Sequence, residues 1–123
     1  MAKLRDETLT IVFNLQRRLL ERIDEATATE VAIFEQFGET EETIPELDQL
    51  QNVRERARSS YSRLYMLLLR IAEAQPSATS ATLNLLTQSI EQAQATDAAT
   101  DASVQDIQRN WNLPWTINLK SLI

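Results

Sequence analysis

Two long stretches of the sequence carry apolar residues at helical spacing, and only a short link separates them. Steps of three and four residues predict a helix, because one helical turn takes 3.6 residues. The stretches run from about 6 to 37 and from about 44 to 75. A link of about five residues forces two long helices to lie antiparallel and adjacent. The apolar rows are Val12, Leu15, Leu19, Ile23, Ala26, Ile33 and Phe37 in the first stretch, and Leu47, Leu50, Ala57, Tyr61, Leu64, Leu68 and Ile71 in the second.

Signals at the helix ends agree with these boundaries. Gly38 is the only glycine of the chain and directly follows the first stretch, where a residue with positive φ commonly closes a helix. Thr43 and Glu46 have the spacing of a capping box at the start of the second helix. Pro76 predicts that this helix ends near 75, because the residue before a proline avoids the helical conformation.

Each apolar row contains one charged residue, Glu30 in the first helix and Arg54 in the second. If Phe37 faces Leu47 across the turn, antiparallel packing places Glu30 opposite Arg54. We therefore predict an ion pair that fixes the register of the hairpin more than it adds stability, because desolvation offsets much of the Coulomb gain. The alternative is that each charged group reaches solvent separately from the edge of its row.

Two shorter helices are predicted after the hairpin. Helical spacing continues from about 77 to 95, and a second segment from about 101 to 112 follows several candidate N-cap residues, Asp97, Thr100 and Asp101. With one glycine and three prolines, the sequence lacks the turn residues of a β-sandwich. We predict an all-α fold, a four-helix bundle in a single domain over 1–113 with an extended C-terminal tail over 114–123.

The two long helices carry more apolar surface than a hairpin can bury. A second row on the first helix, Leu9, Phe13, Leu20, Val31 and Phe34, predicts that this helix contacts two neighbours. Residues 64–72 of the second helix are apolar on almost every side. Either the helix is central in a monomeric bundle, or a homodimer covers it with coiled-coil-like packing, in which case Tyr65, Met66 and Leu69 contact the partner.

The tail has a different rhythm from the rest of the chain. Trp115, Ile117 and Leu119 recur at every second position, which is the spacing of a strand. A single strand needs a partner for its backbone groups. The tail therefore lies along the bundle as irregular chain, pairs with the tail of a second subunit, or adds to a sheet edge of another protein. Leu122 extends its apolar contacts, and Trp111, before the tail, is predicted to plug the end of the bundle.

Composition excludes several classes of function. Without histidine or cysteine, the chain lacks the usual general base and the commonest metal ligands, so we expect neither catalysis nor a cofactor. A net charge of −6 disfavours nucleic acid as a partner. No apolar run has the length of a membrane span or a signal peptide, and the lack of cysteine suits a reducing compartment, so we expect a cytoplasmic protein.

The sequence thus predicts a non-catalytic protein–protein interaction module, such as an adaptor, assembly factor or regulatory subunit. It would associate with itself through the second helix and dock through its tail. One alternative is a bundle that binds an apolar small molecule between the second and third helices. A less favoured one is a nucleic-acid-binding regulator that uses the arginine faces of the two long helices.

Overall fold

A computed structural model describes residues 4–74 and 76–113 and shows an all-α chain of three long helices. They are α1 (Asp6–Phe37), α2 (Ile44–Glu73) and α3 (Ser80–Asn110). Helix α1 has the predicted bounds, whereas α2 ends two residues earlier than predicted. The cross-helix contacts Arg22–Asp101 and Thr29–Gln108 both span 79 residues, so α3 runs parallel to α1 in constant register. Helix α2 runs antiparallel to both.

The prediction of four helices is wrong, because the segments at 77–95 and 101–112 belong to the single helix α3. Three candidate N-cap residues lie inside it and use their side chains in other ways. The Thr100 hydroxyl donates to the carbonyl oxygen of Thr96 at 2.6 Å, one turn back. Asp97 and Asp101 instead contact Arg22 of α1. The actual cap is Thr79, whose hydroxyl accepts from the Thr82 amide at 3.1 Å.

The turn between α1 and α2 depends on Gly38. Its φ of 73° and ψ of −173° lie in a region that essentially only glycine occupies, and its amide donates to the Phe34 carbonyl oxygen. The predicted capping box is absent. Thr43 is itself helical, and its hydroxyl donates to the Gly38 carbonyl oxygen at 2.8 Å and accepts from the Thr40 amide at 2.7 Å. The threonine therefore holds the turn closed rather than capping α2.

The apolar core consists of two clusters separated along the bundle. The first occupies the end that holds the start of α1 and the end of α2, and the second lies near the Gly38 turn. Between them, α1 and α3 contribute polar and charged side chains to the interior, including the fully buried Thr100, and the fully buried Thr29 lies at the level of the second cluster. The largest fully buried side chains are Leu19, Ile33, Leu50, Leu64, Val12, Val53 and Val104.

Helix α1 contacts both α2 and α3, but not through the second apolar row that suggested two neighbours. Helix α1 packs against α3 through residues such as Ala26, Thr29 and Ile33. These residues lie on the edge of its buried face opposite to the second apolar row. Within the described residues, none of the three helices combines the length and hydropathy that a membrane span requires. The predicted extended tail, 114–123, lies outside the described residues.

Candidate functional site: the outer surface of α1 and α2

Three predicted contact residues of α2 point away from the core. Tyr65 is 50% exposed, Met66 56% and Leu69 41%. Their neighbours Leu64, Leu67 and Ile71 are buried, so α1 and α3 cover one side of the apolar segment and leave the other in solvent. A helix apolar on nearly every side thus has an uncovered face in the isolated chain.

Four of the five residues in the second apolar row of α1 are also exposed, and Leu9 is half-buried. We call Phe13, Leu20, Val31 and Phe34 the outer row, because each of these side chains is at least 40% exposed. They recur on one face of α1, since separations of seven, eleven and three residues are close to whole helical turns. Scattered exposed apolar residues are ordinary on a protein surface, but an aligned row with aromatic side chains at both ends is typical of an interaction surface.

Phe13 of the outer row lines a groove between α1 and α2 at the open end of the hairpin. This end groove has a volume of about 640 Å³ and lies between the first turns of α1 and the last turns of α2. Tyr65 and Leu69 line it from α2 and Phe13 lines it from α1, whereas Met66 does not. Its described lining residues are Leu4, Asp6, Leu9, Phe13, Gln16, Tyr61, Tyr65, Leu68, Leu69, Ile71, Ala72, Ala74 and Pro76.

A second, shallower depression of about 430 Å³ lies at the Gly38 end of the same surface. Its apolar lining comes from Val31 and Phe34 of the outer row and from Leu47 of α2. Carboxylates surround these residues, so this end is acidic where the end groove is apolar. The polar lining residues are Glu30, Glu35, Glu39, Asp48 and Gln51.

The interior polar layer centres on the guanidinium of Arg22, which is only 12% exposed. Its Nη1 lies 2.9 Å from Glu25 Oε1 and also contacts Asp101 Oδ1, while its Nε lies 3.2 Å from Asp97 Oδ1. Glu21 is a more distant partner, at 3.8 Å. One cation therefore joins α1 to α3 by binding carboxylates on both helices.

The negative charge of this layer exceeds the positive charge. Burial raises the pKa of Glu25, Arg22 opposes that rise, and the neighbouring carboxylates of Asp101, Glu21 and Asp24 add to it. Glu25 Oε1 and Asp97 Oδ1 lie within ion-pair distance of Arg22 but are not aligned for hydrogen bonds, and the buried Asp24 Oδ2 has no hydrogen-bond donor among the described residues. Arg22 Nη1 donates a hydrogen bond to Asp101 Oδ1, so the layer is held by this bond together with Coulomb attraction to the other carboxylates.

The structure brings Glu30 and Arg54 together, with Arg54 Nε 2.7 Å from Glu30 Oε1. Trp111 lies at the end of α3, packs against the second core cluster and meets Phe37 edge-on at a ring-centroid distance of 5.0 Å. Its indole nitrogen donates to Glu46 Oε2 at 3.1 Å. The carboxylate that was expected to cap α2 therefore binds a tryptophan of α3.

The remaining predicted contact residues, Trp115, Ile117, Leu119 and Leu122, lie outside the described residues. Sequence reasoning placed Phe13 on an apolar row but did not include it among the contact residues, although it lines the end groove. It also missed Arg22 as the centre of a charged layer, because alternating charges on a helix normally indicate a solvated face. Within residues 4–74 and 76–113, no group of carboxylates is arranged to hold a metal ion.

No family model, curated protein or solved structure matches the chain.

Proposed function

We propose that this chain is a non-catalytic protein-binding module that associates with a second copy of itself through the outer surface of α1 and α2. The observation that carries the proposal is the exposure of Tyr65, Met66 and Leu69 beside the outer row of α1. Tyr65 and Leu69 of α2 share the end groove with Phe13 of α1, and burial of apolar surface is the main driving force of protein association.

The fold offers a direct way to cover this surface. Three helices leave the groove between α1 and α2 open, and a helix from a partner that packs there would complete a four-helix arrangement. Aromatic side chains such as Phe13 and Tyr65 supply a large contact area and are enriched among the residues that dominate binding energy. The end groove is the concave part of the surface and would receive the partner's largest apolar side chains.

Charge favours a protein partner over nucleic acid. Two of the arginines that could have formed a basic face are neutralised within the bundle, Arg22 by carboxylates of α1 and α3 and Arg54 by Glu30. The chain as a whole carries a net charge of −6. Affinity for nucleic acid depends on neutralising phosphates with a basic surface, and this net charge opposes it.

The tail is proposed as a second contact segment. Trp115, Ile117 and Leu119 place apolar side chains on one edge of an extended chain, and such a segment gains affinity when it adds to a sheet edge of another protein. The tail follows Trp111 in the sequence, and Trp111 packs at the Gly38 end of the bundle. We further propose a cytoplasmic location, which the lack of cysteine suits.

Light scattering on the purified chain tests the proposal. We expect a molar mass that rises with concentration toward twice the 14.0 kDa of one chain, and a return to one chain in the double variant Tyr65→Ser, Leu69→Ser. Leu85→Ser is the matched control, because Leu85 is an equally exposed leucine on α3. A monomer at all concentrations, or equal effects of the two variants, would contradict self-association through this surface. Trp115→Ala tests the tail separately, by the loss of a captured partner.

A further inference from the structure

The end groove has the size of a small-molecule site. Its volume of about 640 Å³ falls inside the range of roughly 300–1,000 Å³ that ligand pockets occupy. Leucine, alanine and aromatic side chains supply most of its lining, and Phe13, Tyr65 and Leu68 contribute the larger surfaces. Such a lining suits the apolar part of a ligand, but by itself it does not distinguish one apolar ligand from another.

One side chain in the groove does not fit a purely apolar role. Gln16 lines the groove one turn after Phe13 and is 9% exposed, so more than nine-tenths of it is buried. Its amide can donate two hydrogen bonds and accept two, yet it makes none with any described residue. The amide atoms keep contact with solvent, so a group that enters the groove can reach them. A ligand with a hydrogen-bonding group at this point would pair with the amide while its apolar body covers the groove.

The charges around the groove indicate which kind of polar group can reach Gln16. Asp6 is the only charged residue among the described lining residues, and it lies ten residues before Gln16 on the same helix. At 1.5 Å per residue the separation is about 15 Å along the axis, which is beyond the screening length of roughly 8 Å at physiological ionic strength. A charged group beside Gln16 would therefore lose its hydration without gaining an opposite charge.

We propose that the end groove binds a small uncharged amphipathic molecule, with its apolar body on Phe13, Tyr65 and Leu68 and one hydroxyl, carbonyl or amide group hydrogen-bonded to Gln16. This inference goes beyond the proposed protein-binding function and does not depend on it. Because Tyr65 and Leu69 contribute to both surfaces, bound ligand competes with self-association through the groove.

A matched series of eight-carbon compounds tests the inference: 1-octanol, octane, octanoate and octylammonium, each added to the ¹⁵N-labelled chain at a concentration where the protein is monomeric. We expect 1-octanol to bind tightest and to shift the backbone amide signals of groove residues and the side-chain amide signals of Gln16. Octane shifts the backbone signals and leaves the Gln16 side-chain signals nearly unchanged.

Gln16→Leu isolates the polar contact. The leucine suits an apolar groove, so the variant should fold, and its affinity for 1-octanol should fall about three- to tenfold, the usual worth of one hydrogen bond. Its affinity for octane should stay equal or rise. Tyr65→Ala should weaken both ligands, whereas Leu85→Ala, outside the groove, should weaken neither.

Several outcomes would overturn the inference. One is the absence of shifts at the groove when 1-octanol is at its solubility limit. Another is an unchanged 1-octanol affinity in Gln16→Leu. A third is octylammonium binding as tightly as 1-octanol and losing that affinity in Asp6→Asn, which would identify a site for cations. Self-association is tested by molar mass without added ligand, and ligand binding is tested on the monomer. Either proposal can therefore be contradicted while the other is supported.

Discussion

Arg54 of α2 and Glu30 of α1 form an ion pair across the helical hairpin, with Nε 2.7 Å from Oε1 and Nη2 3.4 Å from Oε2. The two-point contact uses the planar geometry of the guanidinium, which matches that of a carboxylate. Both side chains are about one-quarter exposed, so neither loses all of its hydration. The pair specifies which residues of α1 and α2 face each other, because a shift by one turn would separate the only charged groups of the two rows.

This geometry predicts a measurable coupling. In a double-mutant cycle with Glu30→Gln and Arg54→Gln, we expect a coupling energy of about 1 kcal/mol, at the upper end for partly exposed pairs. Urea unfolding of the wild type, both single variants and the double variant measures it. The pair Arg109–Asp106 serves as the control, since its side chains are 72% and 64% exposed and a smaller coupling is expected. Equal coupling in the two cycles would contradict a role in register.

The second prediction concerns Arg22. Arg22→Met removes the only cation that contacts the carboxylates of Glu25, Asp97 and Asp101 among the described residues, and leaves their charges close together in a mostly buried layer. We expect the free energy of unfolding to fall by about 3 kcal/mol, as when one partner of a buried ion pair is removed. Arg17→Met is the matched control, because Arg17 is 69% exposed.

A rescue experiment separates charge from packing in this layer. Adding Asp97→Asn and Asp101→Asn to Arg22→Met removes two of the uncompensated charges and should restore part of the lost stability. If the triple variant is no more stable than Arg22→Met, the loss comes from the arginine's packing and not from the excess of carboxylates.

The third prediction is a dependence of stability on pH that involves Glu25. Burial and neighbouring carboxylates raise the pKa of Glu25 above its ordinary value in the folded chain, so the folded state holds this proton more tightly than the unfolded state. Protonated Glu25 therefore stabilises the folded state, fully so at pH values below the pKa of Glu25 in the unfolded chain. This stabilisation is lost as the pH rises through the pKa of Glu25 in the folded chain. Glu25→Gln should therefore gain stability relative to the wild type as pH increases across that window.

Chemical unfolding of both proteins from pH 4 to 8 measures this difference. The Arg22→Met background sharpens the test, because Arg22 lowers the pKa of Glu25. Its removal should move the pH-dependent step to higher pH. A difference between Glu25→Gln and wild type that stays constant with pH would contradict the account of the layer.

The fourth prediction concerns the turn. Gly38→Ala should lower the free energy of unfolding by about 1–2 kcal/mol, because a residue with a Cβ is strained at a φ of 73°. The strain is a backbone effect, since no heavy atom of the described residues, apart from the two chain neighbours of Gly38, lies within 4 Å of the added Cβ. Thermal unfolding of Gly38→Ala measures the loss, and Glu39→Ala, at the exposed residue next to Gly38, is the control. Equal losses would show that the backbone of the turn adapts.

The sequence predicted the hairpin well, because apolar periodicity over about 30 residues leaves little ambiguity and Gly38 marks the turn. It failed at α3, where Asp97, Thr100 and Asp101 have the composition of a helix start. Local composition cannot show that the aspartates bind Arg22, which lies more than 70 residues away in the chain. Tertiary contacts therefore decided between a break and a continuous helix.

The candidate site was only partly predictable for a related reason. Periodicity identified Tyr65, Met66 and Leu69 as an apolar excess on α2, and the structure leaves them exposed. The end groove depends on how α1 and α2 approach each other, which no spacing in the sequence gives. Gln16 is an ordinary helical residue in the sequence, and only its low exposure in the groove, without a hydrogen-bond partner among the described residues, distinguishes it.

The central claim is that the outer surface of α1 and α2 becomes covered when two copies of the chain associate. Because the chain has no cysteine, one cysteine introduced at a chosen position reports on that position alone. We would measure the thiol-labelling rate of Tyr65→Cys, Met66→Cys and Leu69→Cys over a range of protein concentrations, with Ala102→Cys on the exposed face of α3 as control. We expect labelling of the α2 positions to slow several-fold as concentration rises, while the rate at 102 stays constant. Rates independent of concentration at all four positions would contradict the claim.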